Sequence, residues 1–349
     1  MRTSLTPTEQ QEAVVSLLCC LSGQPQVPPN WTAILTIAGE TLTIGSYAEI
    51  MLDASVEMPD TIRELLIDVR DRTYLRNQRM VSQLRELLPV LNECGVQPIV
   101  MRGAARLLGE NPEKGRLLSD LDLLVPAARE RDCVEALSKL GYGVGADPGS
   151  PYPTELERSC DVGAIDLHVL IQPPVMALDF ERLAVLCRVV ELETGRALLP
   201  SATGQVLLGI VHDQLHDADY WRGLIDVRHM VDLAQLHRDE GIDWDLLTSF
   251  FPIGTPRRAL ETQLRTARSL LGIDIPQCYC GGIGSALQFH RRLLQARHPI
   301  WAAPLTLLHL LIEPPQLGNQ SMAAVRSTIW ERLTGRVPVY LRPSASGKL

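Results

Sequence analysis

Asp120 and Asp122 stand one residue apart inside the run R-L-L-S-D-L-D-L-L-V (116–125), which is otherwise apolar and β-prone. Side chains two positions apart on a strand leave the same face, so both carboxylates are expected to point to one place. Like charges held side by side in a mostly buried strand disfavour joint ionisation unless a cation neutralises them. A divalent metal answers that objection. The competing reading is a half-solvated edge strand, with Leu121 and Leu123 facing the core and the acids facing water.

The flanking segments add weight to the metal reading. Residues 96–101 form a short apolar, β-branched run that stops at Arg102-Gly103, and residues 104–108 are helix-prone. Strand, tight glycine turn and helix make an arrangement whose free backbone N–H groups can receive a phosphate. Downstream, residues 156–160 and 164–171 read as a hairpin around Asp161-Val162-Gly163, and its second strand carries Asp166 among apolar neighbours. A third carboxylate is thus available to face the first two. His168 shares the face of Asp166, as polar support or as a catalytic group.

Gly103 after a strand, the D-x-D strand, and a later strand with one more acid together resemble the nucleotidyltransferase core of the DNA polymerase β superfamily. R-G-A-A (102–105), R-L-L-S-D-L-D-L-L-V, Gly141-Tyr142 and I-D-L-H-V (165–169) are more similar still to the bacterial nucleotidyltransferases catalogued as uncharacterised. N-W-T-A-I-L-T-I-A (30–38), L-R-N-Q-R-M-V (75–81), D-L-A-Q-L (232–236) and I-D-W-D-L-L (242–247) resemble that family's flanking helices, so the resemblance covers most of the chain.

The resemblance implies an α+β fold: a small mixed-sheet, polymerase β-type nucleotidyltransferase core at 84–174, between an N-terminal helical region at 1–83 and a C-terminal helical domain at 175–349. It implies Mg²⁺-dependent transfer of a nucleoside monophosphate from an NTP to an acceptor, with release of pyrophosphate. Asp120, Asp122 and Asp166 would then be the catalytic ligands of two Mg²⁺ ions, with Mn²⁺ as a substitute. Arg102, Gly103, Ala104, Arg116 and Ser119 would bind the nucleotide. Two positions depart from the pattern. Arg102 stands where the family usually carries lysine, and a wider, forked guanidinium holds a phosphate differently. Ala104 stands where the wider superfamily often has serine, leaving only backbone N–H groups there; the closer family also shows alanine.

A chain of 349 residues with 46% hydrophobic content buries a sizeable core and exceeds the usual single-domain size. Its net charge of −8 argues against broad capture of nucleic acid or anionic membrane, so a small molecule, peptide or protein acceptor is expected rather than long nucleic acid. Lys114, Lys139 and Lys348 are the only lysines, which leaves arginine to carry phosphate contacts. The eight cysteines include no C-x-x-C pair. No secretory leader is evident, and the apolar segment 300–312 is too short to span a bilayer and contains Pro304. A cytoplasmic location without a membrane partner is expected.

Elsewhere the pattern is helical. Residues 31–52 read as one helical segment weakened by Gly45, and residues 60–94 keep helical spacing over a long stretch. Arg72, Arg76 and Arg79 fall on one stripe of it, either solvated beside Asp68 and Asp71 or reaching the triphosphate. Residues 127–140 should cover one face of the sheet. Pro173-Pro174 closes the core, and everything from Phe180 on reads as helix, with Asp243 as one cap. His212-Asp213-Gln214-Leu215-His216 invites a zinc hydrolase reading, but Asp213 is one methylene shorter than the glutamate such a mechanism uses, and no third ligand follows in sequence. Histidines lining a helix face, or an active-site wall, are the alternatives. A nucleotide-binding module without turnover is the remaining functional class.

Overall fold

The computed structural model describes residues 7–54, 56–109, 112–145, 153–171, 176–315 and 325–326. The Pro173-Pro174 closure lies outside them. The chain divides into two compact units, one comprising Asp68–Gln172 with Ala177–Leu208 and the other the remaining segments. The fold is α+β.

The unit holding the N-terminus opens with α1 (Pro7–Leu21), α2 (Trp31–Glu40) and α3 (Ile44–Asp53). Asn30 caps α2, its side-chain oxygen accepting from the Ala33 N–H at 3.0 Å. The single helix expected over 31–52 is therefore two. The break falls at Thr41–Thr43, where Leu42 takes φ 54° and the hydroxyls of Thr41 and Thr43 turn back onto the carbonyls of Ile37 and Ala38. Threonine hydroxyls compete with the helix for its own carbonyls. Gly45 sits inside α3 and breaks nothing.

The sheet-bearing unit begins at Asp68, within the long helix α4 (Asp60–Glu93). It continues with β1 (Ile99–Val100), α5 (Arg102–Leu108), β2 (Leu121–Leu124), α6 (Glu130–Lys139), β3 (Gly143–Val144), β4 (Thr154–Glu157) and β5 (Ile165–His168). Then come β6 (Leu170–Ile171), β7 (Leu178–Asp179), α7 (Phe180–Ala184), β8 (Cys187–Leu192), β9 (Gly195–Pro200) and α8 (Ala202–Ile210), the last running past the unit's end. Seven strands form one mixed sheet in the order β3-β4-β5-β2-β1-β9-β8, while β6 and β7 pair separately. The expected hairpin is present, with Leu156 opposite Ile165. One face of the sheet packs on helices: Leu84, Leu87, Leu88 and Leu91 of α4 and Cys133 and Leu137 of α6 bury against Leu121, Leu123, Ile165 and Leu167. Each leucine withdrawn from water there contributes about 2 kcal/mol.

Residues 187–200 correct the helical expectation past Phe180. R-V-V-E-L-E-T-G-R-A-L-L alternates and turns at Glu193-Thr194-Gly195, a hairpin signal obscured by charged residues on its exposed face. This hairpin docks on a gap in α4. Pro89 has no N–H to give the carbonyl of Arg85, and the Thr194 hydroxyl donates to that carbonyl instead at 2.5 Å. Asn92 completes the attachment, donating to the Arg196 carbonyl at 2.9 Å and accepting from its N–H at 2.7 Å.

The first unit resumes with a π-helical turn, Val211–His216, followed by α9 (Asp219–Arg222), α10 (Val227–Asp239), α11 (Trp244–Ser249), α12 (Thr255–Leu271), α13 (Ile283–Arg297) and α14 (Ala302–Ile312). Asp243 caps α11 as expected, accepting from the Leu246 N–H at 2.9 Å. No described helix is long and apolar enough to cross a membrane.

Candidate active site

Strands β2 and β5 run parallel and in a register that sets Asp122 beside Asp166 and Leu124 beside His168. Leu121 and Leu123 go into the helix-covered core, so by alternation Asp122, Leu124, Asp166 and His168 occupy the opposite face. Ligand atoms of Asp122, Asp166 and His168 lie within 4.8 Å of one another. Asp120 immediately precedes β2 rather than lying in it. It is not part of that group of three, but its charge is felt both by Asp166 and by Arg76.

Asp122 is nearly inaccessible, with 3% of its side chain exposed. A buried carboxylate is tolerable only when paired. Its Oδ1 meets Nη1 of Arg102 at 2.8 Å and Nε2 of His168 at 3.0 Å. Since a carboxylate only accepts, His168 carries its proton on Nε2 in this contact. Asp166 is in a harder position. Burial, then the charges of Asp122 and Asp120, push its carboxyl up to about 7, with Arg102 opposing. The carboxylates of Asp122 and Asp166 are close enough to act on one another, and hard oxygen donors brought together in this way suit a divalent ion of the Mg²⁺ kind.

Arg102 departs from the expected glycine turn. Arg102 itself, rather than Gly103, takes the left-handed backbone, at φ 51°. For a residue with a Cβ this costs about 1–2 kcal/mol, and such strain concentrates at functional sites. Gly103 makes room for close packing: a Cβ there would lie 2.5 Å from Cδ2 of Leu118 and 3.1 Å from Nη1 of Arg116, so one or both side chains would have to shift. Arg116 is thus buried against the start of α5, 3% exposed, and is not a solvated loop residue. Ala104 is buried as well. Ser119 contributes its carbonyl to Arg76 at 3.0 Å.

The loops that deliver the acids are gripped by one face of α4. Arg76 donates to the carbonyls of Leu118 (2.6 Å) and Ser119 (3.0 Å). Asn77 donates to the carbonyls of Lys114 and Arg116, both at 2.8 Å, and accepts from the Leu118 N–H at 3.3 Å. Gln83 donates to the Gly163 carbonyl at 3.1 Å, just ahead of β5. The arginine stripe therefore divides: Arg72 pairs with Asp68 in solvent at 2.8 Å, Arg79 is exposed, and Arg76 turns inward onto backbone. Asn77 and Gln83 escaped the sequence reading, although polar residues interleaved with the buried Met80, Leu84 and Leu87 were a signal.

Away from this site, His212 is grouped with Asp213 and His229 rather than with His216 alone. A third partner exists after all, supplied by α10 from 16 positions away.

The sequence was compared with known proteins. No curated protein matches it. Residues 28–272, more than half the chain, match the model of a protein family described as uncharacterised nucleotidyltransferase, and that span contains every residue of the site just described. The chain belongs to that nucleotidyltransferase family.

Proposed function

We propose that this protein transfers a nucleoside monophosphate from an NTP to a small-molecule, peptide or protein acceptor, releasing pyrophosphate, on a polymerase β-type core. The observation that carries the reading is the in-register pair Asp122 and Asp166 on parallel strands, backed by His168 and Arg102. Asp120, Asp122 and Asp166 are the residues to hold the divalent ions. When bound, Mg²⁺ or Mn²⁺ would neutralise triphosphate charge and lower the pKa of the attacking hydroxyl. His168 fixes the orientation of the Asp122 carboxylate through its Nε2–H. Arg102, beside Asp122 and partly exposed, offers a fork to phosphate oxygens, and Gly103, Ala104, Arg116 and Ser119 shape the backbone around it. The eight free cysteines support a reducing, cytoplasmic setting.

One observation favours a nucleotide-binding module without turnover: the Arg102 guanidinium already supplies a positive charge to Asp122. The two readings part on a single experiment. The purified protein is incubated with each NTP, labelled at the α- or the γ-phosphate, together with Mg²⁺ and a cell extract. Transfer of the α-label with release of the γ-label as pyrophosphate is expected, falling at least about 100-fold in Asp122→Asn and Asp166→Asn. Binding of NTP without label transfer supports the module; unimpaired transfer by the Asn variants refutes the site.

A further inference from the structure

Helices α13 and α14 wear their apolar side chains on the outside. A helix at a protein surface ordinarily turns its apolar stripe inward. Here α14 buries Ala302, Ala303, Thr306 and His309, while Leu307, Leu308, Leu311 and Ile312 face solvent, Leu311 with 82% of its surface exposed. The pattern repeats in α13, which buries Ser285, Arg292 and Gln295 and presents Ile283, Leu287 and Leu294 outward. Ile300 and Trp301, in the turn between the two helices, are exposed as well.

Polar contacts on the inner side hold this orientation. Gln295 donates to the Ala302 carbonyl and the Thr306 hydroxyl, both at 2.9 Å, and the Gln288 amide donates to Nδ1 of His309 at 2.8 Å. Arg292 donates to Gln263 at 3.2 Å and Thr266 at 3.3 Å, tying α13 to α12. Glu313, at the end of α14, accepts from the Tyr220 hydroxyl at 2.9 Å and from Arg258 at 2.7 Å. Turning either helix to hide its leucines would break these bonds and strand buried donors and acceptors. The outward leucines are fixed where they are.

The same contacts make the exposed side chains one surface. Position 288 lies opposite 309 and position 295 opposite 302 and 306, so the two helices are antiparallel and their stripes run side by side, with Ile300 and Trp301 closing one end. Taking on the order of 100 Å² for each side chain, roughly 900 Å² of apolar surface is in view. The largest patch on an ordinary monomer is about 300–600 Å², whereas a specific protein contact covers about 800 Å² on each partner.

Charge selects the occupant. Between 283 and 315 there is no lysine, and Arg297 is the only exposed arginine. An anionic lipid surface is recognised by several cations beside the apolar side chains, and a charged partner protein by opposite charge. A nearly neutral apolar face complements itself, which is what a two-fold interface requires, since the same patch stands on both sides of it.

We propose that the α13–α14 face is a homodimer interface, through which two copies of the chain bury these stripes against one another about a two-fold axis. All of it lies in the unit that does not hold Asp122 and Asp166, and the assignment does not depend on nucleotidyl transfer.

The test weighs the full-length protein by sedimentation equilibrium between about 0.5 and 50 μM. Twice the mass of one chain is expected from about 5 μM upward. Leu308→Glu/Leu311→Glu should dissociate at least about 100-fold more readily while keeping the circular-dichroism spectrum of the wild type. Ile300→Glu, at a residue 82% exposed, is a second such variant should the double one fail to fold. Ile253→Glu, at a residue 95% exposed outside this face, should leave the dimer intact. A wild type that is monomeric throughout this range overturns the assignment, whether or not it then floats with vesicles of mixed zwitterionic and anionic phospholipid, which would make the face a membrane surface. An oligomer that both sets of glutamates leave intact overturns it too, because the contact then lies elsewhere.

Discussion

Replacing Asn77 by alanine tests whether α4 positions the acid-bearing loop. The Asn77 side chain is buried, only 4% of the residue being exposed, and makes three hydrogen bonds to the backbone of residues 114–118. At about 1 kcal/mol each, with more where a buried carbonyl is left without a donor, the loss is about 3 kcal/mol. For a unit of this size that lowers the melting temperature by roughly 10 °C. Urea unfolding followed by circular dichroism measures the first quantity, and calorimetric titration with Mn²⁺ measures what happens to the site. Asn77→Ala is expected to weaken Mn²⁺ binding as well, because the unmoored segment leads straight into Asp120. Asn77→Asp is expected to fare no better: it keeps the acceptor for the Leu118 N–H but turns a second oxygen toward two carbonyls. The neighbouring Gln78→Ala, on the exposed side of the same helix, serves as control and should stay within about 0.5 kcal/mol of wild type. If Asn77→Ala also stays within that margin, the claim that α4 grips this loop is refuted.

Gly103→Ala should cost about 1–3 kcal/mol in a denaturant titration, since the new methyl would meet Leu118 and Arg116 in a packed site. Arg102→Gly removes about 1 kcal/mol of left-handed strain but also the partner of Asp122. Its melting point should therefore fall below wild type in chelator and match or exceed it in saturating Mn²⁺. His309 supplies a pH test. Burial lowers its pKa from 6.5 to about 3, so the unfolded chain binds the proton first. Its stabilising contribution is complete above pH 6.5 and is lost at about 1.4 kcal/mol per pH unit as the pH falls toward 3. Unfolding titrations of His309→Gln should lack that part of the acid sensitivity, a difference of about 2 kcal/mol at pH 5.

The alternation of D-L-D and I-D-L-H, with leucine or isoleucine at every second place, makes the shared face of Asp122, Asp166 and His168 readable without coordinates. What the one-dimensional pattern hides is anything decided by a partner distant in sequence. Arg102 combines a left-handed backbone with a bond to Asp122, twenty residues on, and nothing in R-G-A-A announces either. The inward turn of Arg76 depends on carbonyls 42 and 43 residues away, so its stripe looked the same as that of Arg72. Hairpin β8–β9 reads as helix in one dimension because Arg188, Glu191 and Arg196 interrupt its apolar alternation; its identity comes from pairing with β1 and docking at Pro89. His229 is invisible as a companion of His212 until the π-turn and α10 meet.

The parallel ladder between β2 and β5 works as a ruler. Positions 122 and 166 are matched by main-chain hydrogen bonds, so side chains around them can be exchanged without moving either acid. Counting is what the ladder cannot forgive. Adding or deleting a single residue within one strand would send its acid into the leucine layer and turn a leucine outward in its place. The other side chains of these strands can therefore be exchanged for ones of like polarity and size, whereas the number of residues in each strand is fixed.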